Sequence, residues 1–378
     1  MKKFIKSIFV LCFISTCISC NNRDQVKVEL NAIFEKEFSA DKPGGAFLLK
    51  KGNEIVFSKG YGVSDINTKE KITANTVFNT GSISKTFVAN GILILNERGL
   101  LSLEDDLYKY FDDFDSKELA KKVKIKHLLS HASGLPDLRK VSDNYEFYLT
   151  AKDTANFEPL KRADSLNFQP GERFQYSNPA YNGLALIIEK ITKKPWQEFI
   201  QENIFVPSGM SSSKITNGSY PDTGVSHGYY TNPNNKEIYE FDYGEVATFA
   251  AAGNGGIWSS LNDLAKYEEA LQNGTFLNKD LIKKSRTFLN HANWKDSIKP
   301  AIGYSWFTAK GSPSKRIDHD FNVDFVFHTG SQGGFKAFYI TIPEKDILFI
   351  GLYNGYPTNT WDILENSLKV IEKNNWLD

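Results

Sequence analysis

The chain has 378 residues, with 41% hydrophobic and 13% aromatic content, enough for an enzyme-sized core and too long for a minimal domain. Its 45 basic residues are matched by 45 acidic ones, which removes any electrostatic case for nucleic-acid binding. The cysteines (Cys12, Cys17 and Cys20) all lie at the start, so the body has no thiol pair for a disulfide or zinc–thiolate site and no cysteine nucleophile.

Lys2, Lys3 and Lys6 precede Ile8-Phe9-Val10-Leu11-Cys12-Phe13-Ile14, a basic stretch followed by an apolar run too short to span a bilayer. This predicts a signal peptide over 1–19 and an anchor or linker over 20–25. Ser19-Cys20 before Asn21-Asn22-Arg23-Asp24 resembles a bacterial lipobox, which implies lipidation of Cys20 and a cell-envelope location on the periplasmic side. Cys17 departs from that pattern, where leucine is usual, and ordinary cleavage releasing a soluble protein is the alternative. Removal of the signal leaves 42 basic against 45 acidic residues.

Val26 to Phe38 has the spacing of an amphipathic helix, with Val28, Leu30, Ile33, Phe34 and Phe38 near one face. Ala46-Phe47-Leu48-Leu49 and Ile55-Val56-Phe57, joined by Lys51-Gly52-Asn53-Glu54, predict a hairpin. From Leu103 to about Asp242 the chain reads as helices and polar loops, and Tyr220–Tyr243 as a loop able to rim a cleft. Strand character returns at Phe325-Val326-Phe327, Phe338–Ile342 and Ile347–Leu352, with the turn Pro343–Asp346 between the last two. A final helix is expected over Trp361–Ile371. Strands at both ends with helices between predict one antiparallel sheet flanked by helices, an α/β fold with an inserted helical lobe. The expected domain is 26–378, with 26–80 and 246–378 forming the α/β lobe and 81–245 the mainly helical one.

Ser82-Ile83-Ser84-Lys85 opens the long apolar run Phe87–Leu95, and Arg98-Gly99 supplies its basic last turn and cap. Residues three apart share a helix face, so Lys85 can reach the Ser82 hydroxyl. A serine is a weak nucleophile until a neighbour takes its proton. Ser-x-x-Lys also occurs at Ser39…Lys42, Ser211…Lys214 and Ser312…Lys315, but Pro or Gly neighbours separate those from a helix start. The bland alternative is that Ser82 only caps a core helix and Lys85 is solvated.

Two further motifs join this one. Tyr176-Ser177-Asn178 follows Gln169-Pro170-Gly171, and His328-Thr329-Gly330 is placed at the end of a strand. Together the three resemble the motifs of the serine β-lactamase and penicillin-binding-protein superfamily. The stretch His127–Pro136, and the run from Tyr176 through Tyr181, Leu184 and Ile187-Ile188-Glu189 to Ile204–Pro207 and Gly209-Met210, resemble its class C-like branch of DD-peptidases, D-aminopeptidases, esterases and class C β-lactamases. The resemblance runs from about Phe38 to Asn354. Ser142-Asp143-Asn144 spells the class A second motif, but its flanks do not resemble class A. Tyr230-Thr231-Asn232 is taken as incidental.

What the resemblance implies is a β-lactamase/transpeptidase-like fold and an acyl-enzyme on Ser82. Lys85 and Tyr176 handle the proton, and which of them is the base is left open. Asn178 orients Lys85 and contacts substrate, the Ser82 and Ser331 backbone N–H groups form the oxyanion hole, and Thr329 and Gly330 line a strand edge for a peptide-like substrate. His328 replaces the lysine usual in β-lactamases and is mostly neutral at pH 7. Its alternative reading is packing at a strand end. His127 and His131 have i, i+4 spacing without a His-Glu-x-x-His motif, and are read as packing within the helical lobe, with no metal or cofactor expected. The expected substrates are D-amino-acid peptides, amides or esters; a class C-like β-lactamase and a penicillin-binding sensor without turnover are the alternatives. Nucleic acid is not an expected partner, the membrane is reached by lipid anchor only, and the oligomeric state is open.

Overall fold

The apolar runs at the two ends of the chain meet in one sheet. The computed structural model describes residues 22–139, 147, 150–215, 224–240, 252–295, 301–355 and 360–378. The predicted signal, Cys20 and Ser142-Asp143-Asn144 lie outside them.

A first helix, α1 (22–37), leads to the hairpin β1 (Gly45–Lys51) and β2 (Glu54–Tyr61). The late strands are β8 (Ala301–Ile302), β9 (Phe307–Lys310), β10 (Asp324–Gln332), β11 (Phe335–Ile342) and β12 (Ile347–Tyr353). They join the hairpin in the order β2-β1-β12-β11-β10-β9-β8, with antiparallel neighbours throughout. β1 on β12, from Gly45↔Tyr353 to Lys51↔Ile347, closes the two ends of the sequence on each other.

Alternation along the strands divides two cores. Phe47, Phe338, Ile340, Phe349 and Tyr353 face one side, where they pack with Phe34 of α1 and with Ile363, Leu364 and Leu368 of the last helix, α10 (Thr360–Lys373). Phe34 stacks on Phe47 with centroids 3.8 Å apart. Ala46, Leu48, Tyr339, Ile350 and Leu352 face the other side, toward the helices that run between. Because both faces are covered, these strands read as continuous apolar runs rather than as alternating ones.

The intervening helices are α2 (Ser84–Glu97), α3 (Lys117–Lys122), α4 (Ile125–Leu129), α5 (Asp153–Lys161), α6 (Asn178–Thr192), α7 (Trp196–Ile200), α8 (Leu261–Asn273) and α9 (Lys279–Ser285). Local chemistry sets several starts: the Ser177, Ser260 and Asn278 side chains each accept a first-turn N–H. The stretch expected to hold few strands in fact contains β4 (Lys214–Ile215), β5 (Tyr229–Thr231) and β6 (Ile238–Glu240). All three are short, and β5 and β6 pair only with each other. β4 instead completes a small sheet with β3 (Phe78–Asn79) and β7 (Ile257–Ser259), in the order β3-β7-β4. That small sheet delivers the chain to Ser82.

Candidate active site

Ser82 sits in a single 3₁₀ turn, Gly81–Ile83, that runs directly into α2. Three bonds to Ile257 of β7, and one to Gly255 in the loop before it, hold this turn. The Thr80 N–H and hydroxyl both donate to the Ile257 carbonyl (3.0 and 2.8 Å), and the Ile257 N–H donates to Ser84 Oγ (3.0 Å). The Asn79 amide donates to the Gly255 carbonyl, and its Oδ1 accepts the Gly81 N–H at 2.7 Å, closing an Asx turn.

One helical turn on, Lys85 is fully buried, and its Nζ lies 3.0 Å from Ser82 Oγ and 2.6 Å from the Asn254 carbonyl oxygen. A merely solvated lysine is thereby excluded. Burial pushes the Lys85 amine well below the usual lysine range, and the nearby Arg139 guanidinium adds to the effect. Asn178 was expected to orient this lysine. It is the first residue of α6, and among the described residues the Lys85 hydrogen bonds go to Ser82 and to the Asn254 backbone carbonyl, 169 residues away.

Tyr176 lies on the other side of Lys85, its ring centroid 5.1 Å from Nζ. His131 positions the tyrosine segment. Its carbonyl accepts the Gln175 N–H at 2.8 Å, its Nδ1 accepts the Ser177 N–H at 3.0 Å, and its ring stacks on Tyr176 at 4.3 Å. Accepting at Nδ1 assigns the proton of the neutral ring to Nε2. Burial holds His131 well below the usual histidine range, so it stays neutral beside Lys85. The sequence reading treated this residue as packing; its place beside the tyrosine motif was not visible without the fold. His127 uses Nδ1 to accept the Lys124 N–H and lies 5.2 Å from the His291 ring. Tyr230 faces Tyr239 across the β5–β6 pair, whereas the rings near Lys85 are those of Tyr176 and Tyr181.

β10 forms the opposite wall. It does not end at Gly330 but continues to Gln332, paired with β11 over Val326–Gln332. β9 pairs only with Asp324–Phe327, so Thr329–Gln332 keep one edge without a strand partner among the described residues. Gly330 and Gly81 let β10 approach the serine turn. A Cβ on Gly330 would stand 2.0 Å from the Thr80 carbonyl oxygen and 3.3 Å from Ser82 N, and one on Gly81 (φ 51°) would stand 2.7 Å from Ser331 N. The Ser82 and Ser331 amides are therefore neighbours. His328, which stands where β-lactamases usually carry a lysine, is 1% exposed. Its Nδ1 donates to the Thr329 carbonyl at 2.7 Å, and burial pushes it down to about 3, with Lys85 contributing.

A separate cavity of about 1220 Å³, lined among others by Phe288, Trp294 and Ile317, flanks Asp324–Val326. Six residues of strand, roughly 20 Å, separate Phe325 from Ser331, so this cavity lies outside the serine site.

An antiparallel sheet covered by helices on both faces, with a helical lobe inserted between its strands, is the fold of serine hydrolases of the β-lactamase and penicillin-binding type. Residues 31–369 match the Beta-lactamase family model, and the chain belongs to that family. It is 28% identical over 340 residues to penicillin-binding protein 4* of Bacillus subtilis (strain 168), covering 86% of this chain and 71% of that one. It is 26% identical over 317 residues to protein flp of Staphylococcus aureus (strain COL), covering 82% of this chain and spanning 59% of the length of flp. The structure of D-amino acid amidase from Ochrobactrum anthropi SV3 complexed with L-phenylalanine amide superposes with a TM-score of 0.73 at 19% identity, covering 94% of this chain and 99% of that one.

Proposed function

We propose that the protein is a cell-envelope serine acyl hydrolase that forms an acyl-enzyme on Ser82 from D-amino-acid peptides, amides or esters. The observation that carries this reading is the fully buried Lys85 amine 3.0 Å from Ser82 Oγ. A lysine shifted down by burial gives up its own proton more readily than an exposed one, which frees its lone pair to take the serine proton. Ser82 Oγ attacks the substrate carbonyl carbon as its proton passes to Lys85 Nζ. The tetrahedral oxyanion accepts hydrogen bonds from the Ser82 and Ser331 N–H groups. When the C–N or C–O bond breaks, Tyr176 gives the leaving group its proton and is recharged from Lys85. Water then attacks the ester carbonyl carbon as Lys85 takes its proton, and when the C–O bond to Ser82 breaks that proton passes to Ser82 Oγ, which releases the acid and restores both Ser82 and Lys85.

The open edge of Thr329–Gln332 suits an extended peptide-like substrate, which adds main-chain hydrogen bonds to a strand. His328, buried and neutral, gives a β-lactam carboxylate no charged partner there. The relatives named penicillin-binding protein and D-amino acid amidase agree with this substrate class. Anchoring through Cys20 follows from the lipobox resemblance and belongs to the same proposal.

The test is a substrate panel on the purified enzyme. D-aminoacyl amides, peptides and esters should be turned over with higher kcat/KM than penicillins or cephalosporins. A kcat/KM for nitrocefin above that for every peptide, amide and ester, at about 10⁴ M⁻¹s⁻¹ or more, would overturn it in favour of a β-lactamase.

A further inference from the structure

Asp153, at the start of α5, is a carboxylate inside the protein with no cation bonded to it among the described residues. It is held by three neutral donors: the Gly253 N–H and the Asn182 amide on Oδ1 and the Trp196 indole N–H on Oδ2, each at 2.8 Å. A carboxylate is costly to bury, and here every oxygen is answered by a donor. Burial pushes its carboxyl up to about 6, so at neutral pH it still accepts from all three.

Two of these donors lead to the lysine. The Gly253 N–H belongs to the residue before Asn254, whose carbonyl oxygen lies 2.6 Å from Lys85 Nζ. The Asn182 amide that donates to Asp153 also donates to Asn254 Oδ1, at 3.2 Å. Its orientation follows from the carboxylate, since the flipped amide would set oxygen against Asp153 Oδ1. The unflipped amide leaves Asn182 Oδ1 buried without a partner among the described residues.

We infer that Asp153 is a positioning residue for catalysis: through Gly253 and Asn182 it fixes the Asn254 carbonyl that holds Lys85 against Ser82. This rests on the reading of Ser82 and Lys85 proposed above. Lys85 has long rotatable bonds and needs a fixed acceptor to keep its lone pair on the serine, and a carbonyl in an unsupported loop would not provide one.

A second buried carboxylate supplies the control. Asp263 accepts from Ser212 N–H, Ser213 N–H and Ser213 Oγ at 2.8, 2.7 and 2.9 Å, and none of these bonds reaches Lys85. The full chain, Asp153→Asn and Asp263→Asn are titrated with a fluorophosphonate probe, and the maximal labelling rate, the half-saturating probe concentration and Tm are recorded. Both variants should lose several degrees in Tm. Asp153→Asn should also lose about 10²-fold in maximal labelling rate, the scale of a misplaced catalytic group, with half-saturation within about threefold of wild type. Asp263→Asn should label at close to the wild-type rate. A folded Asp153→Asn that labels like wild type overturns the inference, and so does an Asp263→Asn that slows as much at the same Tm. If Asp153→Asn does not fold, Asn254→Ala, which removes only the side-chain tether, should slow labelling about tenfold, and an unchanged rate there overturns it equally. A wild-type protein that is not labelled, or labelling that survives in Ser82→Ala, overturns instead the reading of Ser82 on which this one rests.

Discussion

At Lys85 the surroundings matter more than the residue type. An exposed lysine is a cation at neutral pH and cannot accept a proton from serine. Complete burial, with Arg139 adding positive potential, moves Lys85 well below that range and favours the neutral amine beside Ser82. The sign can be tested. Lys85→Arg keeps a donor but adds a permanent charge, and it should lower kcat/KM by about 10²–10⁴-fold, the usual worth of a general base. Wild-type kcat/KM should in turn reach its plateau well below the pH range in which an exposed lysine titrates. Arg-substituted enzyme retaining activity, or a wild-type profile still rising at pH 10, would show that Lys85 is not the base.

The decisive contact between elements is that of β10 with the serine turn, because it brings the Ser82 and Ser331 amides together. Gly330→Ala puts a methyl 2.0 Å from the Thr80 carbonyl oxygen, and a backbone on each side leaves no flexible end to yield. The expected result is about 1–3 kcal/mol of lost stability in urea unfolding, together with loss of probe labelling in the protein that remains folded. Full labelling with unchanged stability would mean that the turn and strand are not pressed together as described. Much of this was legible in the sequence. The hairpin and the strands β10, β11 and β12 declared themselves through β-branched and aromatic runs, whereas β8 and β9 did not, and Ser82 and Lys85 meet because three-residue spacing on one helical turn is local geometry. What escaped is non-local. The Lys85 partner is a backbone carbonyl at position 254, which no side-chain pattern marks. His131 meets Tyr176 only because two loops close on each other, and strands of two or three residues such as β4 carry too little periodicity to be seen.

For the whole molecule, buried histidines make acid stability a test of the packing. His127 and His328 are pushed down to about 3 and His291 to about 4, mainly by burial. Unfolded, each titrates near 6.5, so between about pH 6.5 and 3 the unfolded chain binds more protons and stability falls with pH. Asp153 works the other way: raised to about 6, it takes up a proton in the folded state first and adds stability as pH drops from about 6 toward 3.8. Three histidines outweigh one carboxyl, because each tenfold difference in proton affinity between folded and unfolded chain is worth about 1.4 kcal/mol. Tm should therefore fall steadily from pH 7 to 4.5. His291→Gln should flatten that fall, since an amide can keep the contact that the His291 ring makes with Ser130 Oγ. A Tm that holds or rises on acidification contradicts the burial of these rings.

The central claim is that one serine among four Ser-x-x-Lys occurrences carries the acyl group, and intact-mass spectrometry tests it most directly. Ser39 stands before β1, Ser211 sits in the turn that precedes β4, and Ser312 lies in the loop after β9, all apart from the β10 wall at Gly330–Ser331. A serine-directed fluorophosphonate should add a single probe mass to the wild-type protein and to Ser39→Ala, Ser211→Ala and Ser312→Ala, and none to Ser82→Ala. Probe mass on folded Ser82→Ala, or none on the wild type, would contradict the account.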